Sequence, residues 1–258
     1  MALGLLLTGG LVFARLAAVV AMLPGIGAAK TPMQIKLLLT VALTTLIVPH
    51  VPAYTQAPTL LVMLSSMISE MLLGGLMGGA VALVFGGLAF ATEIIGAQTG
   101  RAVALQFYPM LEISQGPIGA IAGMMATLVF MGLGQHLMVL VILSESFHVV
   151  PPGSGIDIQA TAEVYTAMAS PVLFSGLQLA GPAVVLVFLV NSFVAVLARL
   201  APSMNVFFSI GFLLTMLAGM ALFLVSFPHF LEIHTRMVDD LLQRLPDMIE
   251  AAGGGNGG

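Results

Sequence analysis

The sequence predicts an all-α protein of the integral membrane type, built from about six long apolar helices. Hydrophobic residues make up 59% of the 258 residues and charged residues only 7%, whereas soluble domains average about 25% charged residues. The mean hydropathy is +1.13, and charges are sparse between Lys36 and Asp239. Such a chain cannot keep a soluble surface wet, so it requires a bilayer, detergent or partner subunits around it.

The six predicted helices follow from uninterrupted apolar segments, and a membrane-spanning helix needs about 20 apolar residues. Four of the segments meet that length. The second is short, which indicates a tilted, re-entrant or protein-shielded helix, and the third is longer than one crossing needs. In chain order they are Leu3–Leu23, Leu37–Pro52, Leu60–Thr92, Ile118–Leu143, Val172–Leu197 and Val206–Phe227.

Local breakers set the ends and interruptions of these segments. The first lacks a basic leader, so it is interpreted as a retained helix, and Pro24 ends it. Pro182 interrupts the fifth segment, because proline removes a backbone donor. Residues 232–250 form a predicted amphipathic helix for a membrane surface or a partner, with Pro246 expected to interrupt or kink it. Residues 251–258 are predicted to be a flexible glycine-rich end.

The few Lys and Arg residues suggest an orientation, because they concentrate on the cytoplasmic side of membrane proteins. The first connection carries Lys30 and Lys36, the third Arg101 and the fifth Arg199, while the second and fourth carry none. Connections one, three and five are therefore predicted inside, with both termini outside.

Composition and motifs argue against several functional classes. A net charge of −4 with seven Lys and Arg disfavours nucleic-acid binding, and the absence of Cys removes disulfides and thiolate chemistry. There is no zinc-protease, nucleophile-elbow or phosphate-loop motif. The sequence thus predicts no catalytic residues, no cofactor, no metal site and no enzyme activity.

Ionisable residues inside apolar segments are candidates for function, because a charge at mid-membrane costs at least about 2.5–3.5 kcal/mol. Arg15, Glu70 and, nearer a segment end, Glu93 are such residues, and Asn191 is a polar group that needs a partner. Arg15 and Glu70 would neutralise one another if their helices pack. The group forms either a polar lining or subunit contact, or a purely structural ion pair.

Small residues four positions apart predict close helix packing, because they let two backbones approach within a membrane. The glycines with this spacing are Gly74, Gly75, Gly78, Gly79, Gly119 and Gly123.

The third connection contains a segment that is too polar to cross a membrane and too apolar for a free loop. Pro109, Gly116 and Pro117 prevent one continuous helix. Irregular backbone at membrane depth occurs only inside protein or beside a water-filled cavity. The segment is therefore either a loop that closes a lumen or a partly buried interfacial loop. Its bulky apolar tip is Phe107, Tyr108, Pro109, Met110 and Leu111.

Three stretches resemble the FliR family of the flagellar type III protein-export apparatus, whose counterparts occur in injectisomes. They are GQHLMVLVILSESFHVVPPG at Gly134–Gly153, SPVLFSGLQLAGPAVVLVFLVNSF at Ser170–Phe193 and ARLAPSMNVFFSIGF at Ala198–Phe212. The resemblance covers nearly all of residues 1–230, while the tail contributes little.

The resemblance implies a single export-gate helical domain over residues 1–231. Within it, residues 1–171 would be a FliP-like part and residues 172–231 a FliQ-like hairpin. The family implies FliP-like, FliQ-like and FlhB-like partners, contact with lipid and with unfolded export substrates, and a place in the inner membrane at the flagellar basal body. Much of such a core sits above the membrane plane. The hairpin turn and its partner contact would involve Arg199, Pro202, Ser203, Met204 and Asn205.

By the same resemblance, Phe107–Gly116 would plug the closed channel. The family often has an Asp-Pro pair in this loop, where the present chain has Tyr108–Pro109, so the register of the loop and the role of that acid do not carry over. The resemblance implies a non-enzymatic export-gate subunit. The alternatives are the equivalent injectisome subunit, a stand-alone secondary transporter for a small solute, and an intramembrane hydrolase, which the missing catalytic residues disfavour.

Overall fold

The computed structural model describes residues 2–27, 31–54, 59–96, 117–200 and 211–254. These residues form helices and connections without a β-strand, which confirms the predicted all-α class. The α-helices, numbered in chain order, are α1 Ala2–Met22, α2 Met33–Ile47, α3 Leu60–Gly96, α4 Pro117–Gly132, α5 Gln135–Val149, α6 Ile158–Leu200 and α7 Phe212–Gly253, and a short 3-10 helix, Val48–His50, follows α2.

Five helices in the described part of the chain are long and apolar enough to cross a membrane, and a sixth span results if α4 and α5 count as one. The predicted number of long apolar helices is therefore confirmed. The two longest, α6 and α7, have 43 and 42 residues. At about 1.5 Å per residue each extends roughly 63 Å, about twice the thickness of a hydrocarbon core.

The fourth predicted segment is broken in the structure. Helices α4 and α5 meet at 62° across a short break. Gly134 has φ +71° at this break, a left-handed conformation that a side chain disfavours. The predicted apolar segment Ile118–Leu143 therefore consists of two helices, with the break between Gly132 and Gln135.

Helix α6 begins earlier than hydropathy predicted, at Ile158 instead of Val172. One carboxylate oxygen of Asp157 accepts a hydrogen bond from the Ala160 backbone N–H at 3.0 Å, so Asp157 caps the helix and marks its start. The helix then continues through Pro171 and Pro182. The predicted connection Ser144–Pro171 is therefore wrong in extent.

Helix α7 combines the sixth segment and the predicted tail helix. It runs without interruption through Pro228 and Pro246 and ends at Gly253, so the tail over residues 232–250 is not a separate helix. The apolar side chains of the tail are buried within the chain itself instead of facing a membrane surface. These are Val238, Leu241, Leu242, Leu245, Met248, Ile249 and Ala252.

The chain divides into two compact units. Unit 1 comprises Met1–Val84, Phe130–Pro171 and Met237–Gly258, and unit 2 comprises Phe85–Val129 and Val172–Arg236. Both units collect segments that are distant in sequence. Unit 2 packs around a core of α3, α4, α6 and α7 side chains, which includes Leu88, Ile95, Ala126, Leu179 and Phe230. The division into a FliP-like part and a FliQ-like hairpin stays a prediction.

Candidate functional site

The most highly connected polar group in unit 1 is Arg15, in the middle of α1. Its side chain is fully buried. Nε donates to Glu70 Oε2 at 2.6 Å, Nη1 donates to the Ser146 backbone oxygen at 3.1 Å and to its hydroxyl at 3.0 Å, and Nη2 donates to the Val150 oxygen at 2.9 Å. The guanidinium also lies 4.2 Å from the centroid of the Phe147 ring. All three nitrogens thus have acceptors in a site that water does not reach.

The acceptors of Arg15 include the C-terminal end of α5. Val150 contributes its carbonyl from the end of α5, where a helix leaves carbonyls unpaired and carries partial negative charge. Ser146 adds a carbonyl that also accepts the Val150 N–H. A cation at this position satisfies both needs. Arg15 therefore neutralises Glu70 and caps α5 with one planar group, which links α1, α3 and α5.

The second oxygen of Glu70 fixes the connection that follows α5. Glu70 Oε1 accepts a hydrogen bond from the Gly153 N–H at 2.9 Å. Gly153 has φ +83°, and a Cβ built on it would lie 2.6 Å from Cε2 of Tyr54. Only glycine adopts this φ without strain and leaves room for the Tyr54 ring. Tyr54 is itself held, because its backbone N–H donates to the Thr8 hydroxyl at 2.8 Å.

The glycines of α3 allow α1 to come close enough for the Arg15–Glu70 pair to form. Glu70, Gly74 and Gly78 are four residues apart and therefore share one helix face. A Cβ at Gly74 would overlap the backbone oxygen of Arg15, and one at Gly78 would lie 3.0 Å from Val19 and Met22 of α1.

The remaining predicted glycines have different surroundings. A Cβ at Gly79 would lie 3.3 Å from the Tyr165 hydroxyl, and one at Gly119 would lie 3.3 Å from the Thr92 hydroxyl oxygen. A Cβ at Gly75 or at Gly123 would have no atom within 4 Å. In unit 2, α6 approaches α3 closely at a glycine that was not predicted from the sequence. A Cβ at Gly176 would lie 2.6 Å from the Gly87 oxygen.

Large apolar side chains are exposed on several helices, among them α2, the start of α3, α6 after Pro171 and the first half of α7. On α7 the exposed face changes character near Pro228. Before it the exposed residues are leucine, methionine and valine, and after it they are charged. The exposed apolar set on these two stretches is Leu173, Phe174, Leu177, Val184, Val185, Phe188, Leu189, Phe193, Val196, Leu200, Leu213, Leu214, Met216, Leu217, Met220, Leu224 and Val225.

The charged half of α7 carries paired side chains along one exposed face. Arg236 Nη2 lies 2.5 Å from Glu232 Oε1, and Arg244 Nε lies 3.2 Å from Asp240 Oδ2. These are i,i+4 pairs of the kind that support a solvent-exposed helix. The exposed face of this half of α7 is therefore suited to water, whereas the exposed face of the first half is suited to lipid or a protein partner.

Comparisons with known proteins identify the family. A family model described as bacterial export proteins, family 1, matches residues 6–241. The chain belongs to this family. The flagellar biosynthetic protein FliR of Escherichia coli K12 is 28% identical over 236 residues, which cover 91% of this chain and 90% of that protein. FliR of Pectobacterium carotovorum is 29% identical over 89% of both chains, and FliR of Caulobacter vibrioides is 26% identical over 90% of this chain and 93% of its own.

The resemblance to the FliR family is thereby confirmed. The family and the relatives indicate a component of the flagellar export apparatus, and the long apolar helices indicate that it is embedded in a membrane. Among the described residues of this FliR-family chain, no group of three or more His, Cys, Asp or Glu side chains is placed to hold a metal ion.

Several predicted functional residues of this FliR-family chain do not join the buried cluster. Glu93, Asn191 and Arg199 are exposed on α3 and α6. The predicted plug residues Phe107, Tyr108, Pro109, Met110, Leu111 and Gly116 and the predicted turn residues Pro202, Ser203, Met204 and Asn205 lie outside the described residues.

Three partners of the Arg15–Glu70 pair were not predicted from the sequence, namely Ser146, Val150 and Gly153. A signal was present in the sequence, because Pro151-Pro152-Gly153 ends a helix and places a glycine where a turn needs positive φ. Gln135 was not predicted either, and its side-chain Nε2 donates to Asp239 Oδ1 at 2.7 Å. Hydropathy patterns do not reveal such long-range polar contacts.

Proposed function

We propose that this chain is a non-enzymatic core subunit of the flagellar type III secretion export gate, where it helps to form and seal the protein-conducting channel. The supporting observation is the large number of apolar side chains exposed on α6 and α7, since soluble monomers rarely expose contiguous apolar patches larger than a few hundred Å². Such faces need lipid or neighbouring subunits. Membership in the bacterial export family directs that need towards an export complex.

The proposed neighbours are FliP-like, FliQ-like and FlhB-like subunits, together with membrane lipid. The complex would lie in the bacterial inner membrane, in the flagellar basal body, and unfolded export substrates would pass through it. The apolar faces of α6 and α7 are the proposed subunit contacts, with Arg199 at the end of α6 near the hairpin turn.

The proposed mechanism is steric closure. Apolar side chains of Phe107–Gly116 would occupy the lumen and exclude water and ions until the loop moves. The Arg15–Glu70 cluster would give the wall rigidity, because it ties α1 and α3 to α5 and to the connection that follows. This chain would contribute the wall and the seal, while other components would supply the energy.

A second candidate function is a stand-alone secondary transporter, which one observation favours. Such transporters place substrate sites at broken helices, and α4 and α5 form a broken pair bent by 62°. Beside the break, Gln135 Oε1 and His136 Nδ1 are buried without a partner in the described part of the chain. A small polar solute would be the ligand in that case.

Co-purification followed by mass determination of the intact complex separates the two functions. Solubilised in mild detergent, an export-gate subunit is expected to elute with partner proteins in a fixed ratio. A transporter would elute alone or as a homo-oligomer and would bind a solute. The flagellar assignment over the injectisome alternative is tested by motility, since expression of this chain should restore swimming in a flagellated strain that lacks its own FliR.

A further inference from the structure

A groove of about 600 Å³ lies at one end of unit 1, outside the Arg15–Glu70 cluster. It is formed where α5 ends, α6 begins and α7 ends. The Asp157 backbone N–H donates to the Ala252 oxygen at 3.0 Å and joins two of its walls. The lining is half apolar and half polar, with Val149, Pro151 and Ile156 beside His148, Ser154 and Asp157.

The groove is built on a fixed frame. Arg15 holds the Val150 oxygen and Glu70 holds the Gly153 N–H, so both ends of the turn that forms one wall are tied to the buried cluster. On the opposite wall, a Cβ at Gly253 would lie 3.1 Å from the Val149 oxygen, which brings the end of α7 directly against the end of α5. A preformed groove loses little conformational entropy when a ligand enters.

The charges around the groove have one sign. From His148 to Asp157 the chain carries Asp157 without Lys or Arg, and from Leu245 onward it carries Asp247 and Glu250 without Lys or Arg. Arg15, which donates to the Val150 oxygen at the end of α5, is paired with Glu70. The C-terminal end of α7 adds partial negative charge from its last carbonyls.

We propose that this groove is a docking site for a short segment of another protein that presents a Lys or Arg among apolar residues. The apolar lining would hold the aliphatic part of such a segment, and Asp157 with the end of α7 would face its cation. One carboxylate oxygen of Asp157 caps α6, and Asp157 also lines the groove. This proposal does not depend on the channel role, because it concerns a different surface.

Binding to the groove is tested with the full-length protein in detergent and a fluorescent synthetic peptide of alternating lysine and leucine. Binding followed by fluorescence anisotropy should weaken about threefold in Asp157→Asn. Asparagine caps a helix nearly as well as aspartate, so α6 is preserved. Ser154→Phe, which fills the groove without changing charge, should weaken binding at least as much.

The matched control is Glu163→Gln, which removes the same charge from an exposed position of α6 that does not line the groove. Binding by this variant should be unchanged. Equal weakening by Glu163→Gln and Asp157→Asn would overturn the proposal, since it would mean diffuse attraction to an acidic surface. Equal binding of a serine and leucine peptide would also overturn it, because the cation would then have no role.

Discussion

The guanidinium of Arg15 illustrates how a charge is tolerated inside a protein of this kind. Moving an ion from water into a low-dielectric interior costs several kcal/mol even after relaxation. Arg15 offsets this cost with one carboxylate, two backbone carbonyls and one hydroxyl, all at 2.6–3.1 Å. The arrangement depends on every partner, so the loss of one leaves a buried charge without compensation.

Glu70→Ala should therefore destabilise the protein by about 3–5 kcal/mol, because Arg15 then stays buried and unpaired. The Gly153 N–H also loses its acceptor. Thermal unfolding in detergent, followed by circular dichroism, measures the effect. The double variant Arg15→Met with Glu70→Leu should lose less stability than Glu70→Ala, since it leaves no uncompensated charge.

Glu163→Gln is the control for this pair, because Glu163 is an exposed acid whose contact with Gln159 is long, at 3.3 Å. It should change stability by less than about 0.5 kcal/mol. If Glu70→Ala unfolded at the same temperature as Glu163→Gln, the buried pair would have no structural importance.

Gly78 tests the packing of α3 against α1 at the level of a single Cβ. A Cβ at this position would lie 3.0 Å from three atoms of α1, whereas a Cβ at Gly75 would meet open space. Gly78→Ala should lower stability by about 1–3 kcal/mol through overpacking, and Gly78→Leu should prevent assembly. The readouts are the unfolding midpoint and the yield of the complex.

Gly75→Ala is the matched control, on the adjacent face of the same helix. It should preserve the yield and leave stability unchanged or slightly raised, because alanine favours a helix over glycine. A normal yield from Gly78→Leu, or equal losses from both alanine variants, would contradict the close contact between α1 and α3.

At the scale of the element, hydropathy predicted where the helices exist and failed at their ends. Helix α1 and the start of α3 follow directly from apolar runs that nothing interrupts. Helix α6 starts at Ile158 because Asp157 caps it, and that polar first turn resembles a loop in composition. The break at Gly134 and the continuity of α7 depend on tertiary packing, which decides whether a glycine or proline ends a helix.

The buried site around Arg15 also has a part that the sequence predicts and a part that depends on tertiary packing. The pair Arg15–Glu70 was predictable because each is an isolated charge in an apolar segment, and isolated charges need opposite partners. Ser146 and Val150 contribute backbone oxygens, which any residue would supply, and Ser146 adds its hydroxyl. Their role appears only once the end of α5 is placed beside α1.

Pro246 provides a test of the continuity of α7. A proline in a helix interior removes one hydrogen bond and crowds the preceding turn, which costs about 3 kcal/mol, while it also lowers the entropy of the unfolded chain. Pro246→Ala should therefore raise the stability by about 2 kcal/mol if α7 is continuous. The measurement is the unfolding midpoint in detergent, with the exposed Gln243→Ala as a neutral control.

A loss of stability in Pro246→Ala, instead of a gain, would have a specific structural meaning. Proline stabilises the first turn of a helix, so a loss of stability in Pro246→Ala would place a helix start at this residue. Hydrogen exchange gives a second readout. Continuous helix predicts protected amides from Asp247 to Glu250, and rapid exchange of those amides would support a separate tail helix.

For the molecule as a whole, the contacts of unit 1 bring several connections to one end. Tyr54 contacts Thr8 and Gly153, and Asp157 contacts Ala252. The first turns of α1, the segment after α2, the turn after α5 and the end of α7 thus share an end of this unit. These are the segments that the Lys and Arg count assigns to the outer side, and that assignment stays a prediction.

The channel role makes its own prediction at this scale. Deletion of Phe107–Gly116, in cells that co-express the FliP-like, FliQ-like and FlhB-like partners, should make the membrane leaky to small ions. An apolar plug excludes ions because they cannot shed their hydration in a low-dielectric constriction. Conductance of the purified complex in planar bilayers measures the leak. A complex in which a glycine and serine linker of equal length replaces the loop should leak as well, because the linker restores the connection but not the apolar seal.

Removal of Gly254–Gly258 is the control and should leave the closed conductance unchanged. If the complex assembled normally and conducted no more ions without the loop than with it, the seal would have to come from another subunit, and this chain would contribute the wall of the channel alone.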